Sequence, residues 1–158
     1  MTTTLVIFGI TGDLASRMLI PSLLNLYSKD RLPEDVRIVG VGRRPIEHAE
    51  MRRLLREGMK EHASDVYKRL RPLWSKFSQK LFYARVNLDS PEDFAKLERS
   101  LKRGENGSDN ANRLYYLSVA PEFYPIIIKA LGQQKMASEE HGWRRIVIEK
   151  PFGTDLDT

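Results

Sequence analysis

The chain has 158 residues, no cysteine and a formal net charge of +5. This length predicts a single domain over residues 1–158, and the 41% apolar share is typical of a soluble globular protein with a real core. The lack of cysteine excludes disulfides and thiolate metal sites, and we expect no metal centre. No apolar run approaches the roughly 20 residues of a membrane-spanning helix, and the N-terminus has no signal-peptide pattern. We therefore expect a cytoplasmic protein with no membrane partner.

The positive charge is concentrated between Arg43 and Arg71. Acidic residues such as Glu47, Glu57 and Asp65 are interleaved with the basic ones, which is typical of a solvated helix face. A nucleic-acid groove more often combines charge of one sign with stacking aromatic side chains. We expect no nucleic-acid partner.

The first informative segment is a β-rich apolar run over residues 4–8 that ends at Gly9, passes Gly12 and opens a helical pattern. A strand that delivers a loop to a helix N-terminus places free backbone N–H groups where they can hold a phosphate. Gly9 would allow the sharp turn, Gly12 a close approach to the ligand, and Ala15 close helix packing. The spacing G-x-x-G-x-x-A is one residue off the standard dinucleotide motif. An ordinary β-to-α turn with two structural glycines remains the alternative at this point.

The helix after the loop is predicted over 13–28, with a kink at Pro21. A second strand, predicted over 36–42, ends at Arg43. In a dinucleotide fold this strand end faces the adenosine ribose, where an acidic residue would bind a free 2′-hydroxyl. An arginine instead matches a phosphate, so the sequence predicts NADP with Arg43 as the main 2′-phosphate ligand and the Thr11 hydroxyl beside it. Solvated loop arginines are the alternative.

Strands and helices alternate through the rest of the chain. The patterns predict helices over 46–62, 64–77, 90–102 and 122–131, strands over 80–86, 113–119 and 144–148, and a surface loop over 103–112. The alternation predicts an α/β fold, a Rossmann-type doubly wound parallel sheet with helices on both faces. Ligands of such sheets bind at the carboxyl ends of the strands. Asn87, Leu88, Ala120 and Lys150 follow predicted strands and are expected at that edge.

Four segments resemble the glucose-6-phosphate dehydrogenase family, in the right order and across essentially the whole chain. The first, over 9–15, is similar to the family's coenzyme loop G-x-x-G-D-L-A. The second, over 38–43, is similar to its second strand and NADP-reading arginine. The segments over 112–121 and 145–153 resemble its fourth strand and its E-K-P-F-G signature.

The resemblance implies a role for each matching position. Arg43 would hold the 2′-phosphate, Asn87 and Leu88 would border the adenosine, and Tyr124 would lie near the nicotinamide half. Lys150 would sit between the coenzyme and a sugar phosphate and contact both. The residues that would wrap the pyrophosphate and 2′-phosphate end of NADP are Gly9, Ile10, Thr11, Gly12, Asp13, Leu14, Ala15 and Ser16.

The family oxidises glucose 6-phosphate at C1 with NADP, in the pentose phosphate pathway, and its members are usually homo-oligomers assembled mainly through the substrate domain. The sequence ends at Thr158, before the family's R-I-D-H-Y-L-G-K segment and that domain. The catalytic histidine of the family has no counterpart here, because His141 precedes the last strand and is expected in a loop. Met18 stands where the family often has lysine. The resemblance therefore implies a coenzyme domain that binds NADP without turnover and contains no catalytic residue.

Other functions fit the sequence in different ways. A stand-alone NADP-binding module that senses the coenzyme or contacts a partner would share the same coenzyme motifs. A short-chain reductase needs a Tyr-x-x-x-Lys pair, and no tyrosine here has a lysine four residues on. A P-loop hydrolase needs Gly-Lys-Ser/Thr where Asp13 and Leu14 stand.

Overall fold

A computed structural model describes residues 2–105, 110–140 and 142–148. Within these ranges five strands form one parallel sheet in the order β3-β2-β1-β4-β5. The strands are β1 (Thr2–Phe8), β2 (Val36–Gly42), β3 (Leu81–Arg85), β4 (Ala111–Leu117) and β5 (Arg144–Ile148). The predicted Rossmann-type α/β fold is confirmed.

Helices connect these strands. They are α1 (Ile20–Ser28), α2 (His48–His62), α3 (Ser64–Leu70), α4 (Trp74–Ser78), α5 (Pro91–Gly104) and α6 (Tyr124–Gln133). Short 3₁₀ turns over Arg71–Leu73 and Pro121–Phe123 precede α4 and α6. In the part of the chain that the structure describes, no helix has the length and apolarity needed to cross a bilayer.

The two faces of the sheet carry separate cores because successive side chains of a strand point to opposite sides. On β1, Leu5 and Ile7 join a core formed with the helices α1 to α4. Val6 and Phe8, on the other face, join a core formed with α5 and α6. Helices thus cover both faces, and the central strand β1 contributes apolar side chains to both sides, as buried parallel strands do.

The helix predicted over 13–28 contains a π-helical turn at Ala15–Leu19 ahead of α1. In that turn the N–H of Ile20 donates to the carbonyl oxygen of Ala15, five residues back. The π-helical turn is caused by Pro21, because proline has no N–H to donate and its ring clashes with the carbonyl four residues earlier. The expected kink at Pro21 is therefore a widened turn just before the proline.

Strand β4 covers Ala111–Leu117 rather than the predicted 113–119. Its register follows β1, since Ala111 lies opposite Thr2 and Leu117 lies opposite Phe8. The N–H of Ser118 still donates to the carbonyl oxygen of Phe8 at 2.9 Å, but β1 has ended there. The prediction was two residues late at both ends because the alternation of residue types does not show where the partner strand stops.

The outer edge of β3 is covered by side chains of α2. The Nδ1 atom of His48 accepts a hydrogen bond from the N–H of Tyr83 at 2.8 Å. The Nε and Nη2 atoms of Arg52 donate to the carbonyl oxygen of Leu81 at 2.9 and 2.6 Å. His48 is exposed, but it also accepts a hydrogen bond from a backbone group that an edge strand otherwise leaves open.

A buried charge network lies in the amino-terminal half of β1 and β4. The Nε and Nη2 atoms of Arg113 donate to the two carboxylate oxygens of Glu105 at 3.0 and 2.8 Å, and Nη2 lies 2.7 Å from Glu98 Oε1. The Thr4 hydroxyl donates to Glu105 at 2.8 Å. Arg113 and Glu105 are each only 2% exposed. Burial opposes the charge of Arg113, but its contacts with Glu105 and Glu98 outweigh this and raise its pKa.

We expect Glu105→Gln to lower the free energy of unfolding by about 3–5 kcal/mol, because it leaves a buried guanidinium without its main counter-charge. Urea denaturation at neutral pH measures the loss. Glu92→Gln is the matched control, since Glu92 pairs with Lys96 in an exposed i,i+4 contact. Similar losses for the two variants would contradict a dominant role for the Arg113–Glu105 pair.

Candidate functional site

The carboxyl ends of β1, β2, β3 and β4 surround a cleft of about 390 Å³. From β1 the chain crosses to β2 and β3 on one side of the sheet and then returns to β4 on the other. The cleft therefore lies where the strand order reverses, which is the usual ligand position in open α/β sheets.

The first wall of the cleft is the turn after β1. Gly9 has a φ of +86°, and a Cβ added there would overlap the carbonyl oxygen of Ser118. The N–H groups of Gly9 and Ile10 both donate to the carbonyl oxygen of Val41, at 2.9 and 3.2 Å, and the Gly12 N–H donates to Gly9 at 3.0 Å. The turn is thus fixed by hydrogen bonds, and only glycine fits at Gly9.

The predicted phosphate-binding residues divide between the cleft wall and its support. Gly9, Thr11 and Gly12 line the cleft. The Ile10 side chain is buried against Gly40, where an added Cβ would meet it.

The start of the helix lies behind this wall. Asp13 and Leu14 begin the helical stretch, and Ala15 is fully buried. The Ser16 hydroxyl donates to the carbonyl oxygen of Asp13 at 3.3 Å, and its Cβ packs against Gly58 of α2. Because the first N–H groups of a helix have no partner four residues back, the backbone at 13–15 offers donors to an anion in the cleft.

Arg43 extends from the end of β2 and lines the cleft together with Thr11. The N–H of Val86 donates to the carbonyl oxygen of Gly42 at 2.9 Å, which holds the end of β2 against the end of β3. The structure thus brings the predicted arginine and hydroxyl to one site. Their role toward a 2′-phosphate stays a prediction.

Asn87 and Leu88 follow β3 and line the same cleft. The Asn87 N–H donates to Asp93 Oδ2 at 2.8 Å, and its Oδ1 accepts from the Asp89 N–H at 3.0 Å, so the loop has a defined turn. Leu88 packs against the core on the α5 side of the sheet. The two residues share the cleft with Arg43, and their role as neighbours of an adenosine stays a prediction.

The far end of the cleft is formed by the segment after β4. Phe123 lines it, whereas Tyr124 begins α6 and packs against the adjoining core. The role of Tyr124 near the nicotinamide half remains a prediction. Lys150 and His141 lie outside the described residues, so their assignments remain predictions as well.

Further residues line the cleft that the sequence did not single out. Ser118 and Val119 follow β4, and Val86 and Asp89 follow β3. Ser118 is 8% exposed, and its hydroxyl has no hydrogen-bond partner within the described part of the chain. Their place at or just after the carboxyl ends of predicted strands was the available signal, since such positions lie at the ligand edge of a parallel sheet.

The residues present fit a phosphate-bearing nucleotide. The glycine turn at Gly12, the start of the helix and the Arg43 guanidinium lie around one largely apolar cleft. These groups are donors for an anion. Among residues 2–105, 110–140 and 142–148, no group of three or more acidic or histidine side chains is arranged to hold a metal ion.

We expect Gly9→Ala to lower the free energy of unfolding by about 3 kcal/mol or more, because it combines a left-handed φ with overlap of a backbone carbonyl. Gly12→Ala is the matched control. Its added Cβ would lie 3.3 Å from the Gly9 carbonyl oxygen, and Gly12 is exposed, so the loss should be smaller. Thermal or urea denaturation of both variants provides the comparison, and equal losses would contradict the assigned turn.

Known proteins of one family are similar to this chain in sequence. The family profile described as "Glucose-6-phosphate dehydrogenase, NAD binding domain" matches residues 6–158. A glucose-6-phosphate 1-dehydrogenase of Chlamydia muridarum is 36% identical over 161 residues, covering 98% of this chain and 31% of the relative. The corresponding enzyme of Aggregatibacter actinomycetemcomitans is 37% identical over 155 residues, with the same two coverages. The chain thus spans about a third of the length of these relatives.

Solved structures agree with the sequence matches. A glucose-6-phosphate dehydrogenase in complex with its substrate glucose-6-phosphate superposes with a TM-score of 0.79 at 26% identity, over 99% of this chain and 32% of that one. Glucose-6-phosphate 1-dehydrogenase from Mycobacterium avium superposes with a TM-score of 0.77, also at 26% identity, over 99% of this chain and 31% of that one.

Proposed function

Because the chain belongs to the glucose-6-phosphate dehydrogenase family, as its nicotinamide-coenzyme domain, we propose that the cleft binds NADP in preference to NAD. The observation that carries this proposal is the position of Arg43. It follows β2, lines the cleft, and shares that cleft with the Thr11 hydroxyl. A planar guanidinium donates two parallel hydrogen bonds to a phosphate, whereas a free 2′-hydroxyl calls for a carboxylate at the end of β2.

The rest of the coenzyme follows the sheet edge. The pyrophosphate lies over Gly12 and the helix start, where the backbone N–H groups of the first turn face an anion. Asn87 and Leu88 border the adenosine. The nicotinamide half runs toward the segment after β4, near Ser118 and Tyr124.

For the whole protein we propose oxidation of glucose 6-phosphate at C1. NADP held by the Gly12 turn and Arg43 would supply the hydride acceptor for C1, and a base would take the hydroxyl proton, so that the products would be the lactone and NADPH. Lys150 contacts both coenzyme and sugar phosphate, and the assembled protein is a homo-oligomer. The 158-residue chain alone supplies the coenzyme half. No histidine is among the described residues that line its cleft.

We expect the chain to bind NADP more tightly than NAD, and we expect Arg43→Ala to weaken NADP binding about ten- to hundredfold with little change for NAD. This is the range for a lost hydrogen bond to a charged group. Calorimetric titration with both coenzymes measures the ratio of the two dissociation constants.

Arg44→Ala serves as the matched control, because Arg44 is the next residue in the same turn and its side chain is not among those lining the cleft. Its loss should be smaller than that of Arg43→Ala. Equal affinity of the unaltered chain for NADP and NAD would refute the proposed preference.

We expect the chain alone to form no NADPH when it is mixed with NADP and glucose 6-phosphate, since the reaction needs a base beside C1 as well as a bound coenzyme. Absorbance of NADPH at saturating coenzyme measures turnover. A relative of full length serves as the positive control. Steady turnover by the chain would show that a base is present within these 158 residues.

A further inference from the structure

We infer that Arg85 is a positioning residue for Arg43 and thereby sets how strongly the cleft prefers a coenzyme with a 2′-phosphate. This inference rests on the proposed NADP site. Arg85 is the last residue of β3, lies opposite Gly42 in the register of the sheet, and is exposed. Its Nε donates to the main-chain carbonyl oxygen of Arg43 at 3.1 Å.

Three successive carbonyl groups after β2 are held by donors from the end of β3. The Val86 N–H donates to the carbonyl of Gly42 at 2.9 Å, Arg85 Nε donates to Arg43, and the Tyr83 hydroxyl donates to Arg44 at 2.7 Å. A turn of this kind is normally free to sample several conformations. Here each carbonyl group from 42 to 44 accepts a hydrogen bond from β3 or from the residue after it.

The donors themselves are anchored. The N–H of Tyr83 donates to His48 Nδ1 at the start of α2, so β3 is joined to the helix that follows the turn. Burial raises the pKa of the Tyr83 hydroxyl, which keeps it protonated and able to donate. The segment that carries Arg43 is therefore tied to β3, and β3 is tied to α2.

Fixing the main chain of Arg43 matters because a flexible arginine loses side-chain and backbone freedom when it binds a phosphate. A site whose residues are already held in the bound geometry avoids part of this loss. Removal of the hydrogen bond from Arg85 should therefore weaken binding of the 2′-phosphate and leave binding of the rest of the coenzyme, which NAD shares, unaffected.

A double-mutant cycle tests whether Arg85 acts through Arg43. We expect Arg85→Met, which matches the arginine side chain as far as its Nε position and removes the nitrogen donors, to weaken NADP binding about three- to tenfold and NAD binding little. In the Arg43→Ala background, Arg85→Met should cause no further change in the NADP-to-NAD ratio. Residues that act as one unit show this non-additivity, whereas independent effects add.

Arg85→Gln separates the hydrogen bond from the charge. Its Nε2 stands at the same distance along the side chain as the Nε of arginine, so it can donate to the Arg43 carbonyl without carrying charge. We expect this variant to recover most of the preference that Arg85→Met loses. Circular dichroism and thermal denaturation of each variant report whether the fold is retained.

The result that overturns the inference is an unchanged coenzyme ratio in Arg85→Met, an equal weakening of NADP and NAD, or a further loss of ratio in the Arg43→Ala background. Equal behaviour of Arg85→Gln and Arg85→Met also overturns it, because charge alone would then account for the effect. The proposed function has a separate readout, since it fails when the unaltered chain shows no preference for NADP. With that preference intact, any of the results above refutes only the role of Arg85.

Discussion

The cleft depends on the contact of one glycine with three strands. Gly9 ends β1, its N–H shares the Val41 carbonyl with Ile10, and its missing Cβ allows contact with the carbonyl of Ser118 after β4. These contacts hold β1, β2 and β4 together where the strand order reverses. A side chain at this point would separate the strands and close the space in which a ligand binds. The other residues of the site are positioned around this junction.

The two ends of the sheet meet different requirements. At the amino-terminal half, Arg113, Glu105 and Thr4 bury their polar atoms against one another, and the pairing satisfies the charge without solvent. At the carboxyl end, Arg43 is exposed and lines the cleft. The buried charges at the amino-terminal end stabilise the fold. The exposed charge at the binding edge contributes to recognition more than to folding.

The fold and much of the cleft could be predicted from the sequence, because both follow from local patterns and from the geometry of parallel sheets. Arg43, Asn87 and Leu88 follow strands, and strand ends meet at one edge, so their convergence on the cleft could be predicted. The partner of a side chain across strands could not be predicted. The contact of Arg85 with Arg43 depends on the register of β2 and β3. The orientation of Phe123 toward the cleft depends on a single 3₁₀ turn, which the spacing of apolar residues does not reveal.

The widened turn before Pro21 determines which residues face the sheet. In a regular α-helix, residues five apart point about 140° away from each other, because each residue advances by about 100°. Ala15 and Ile20 are five apart, and both are completely buried. The hydrogen bond from Ile20 to Ala15 spans five residues and brings the two onto the same side. The residues before and after the widened turn can therefore bury different faces of the helix. The face before it is fixed by the glycine turn, and the face after it is fixed by the core under α1.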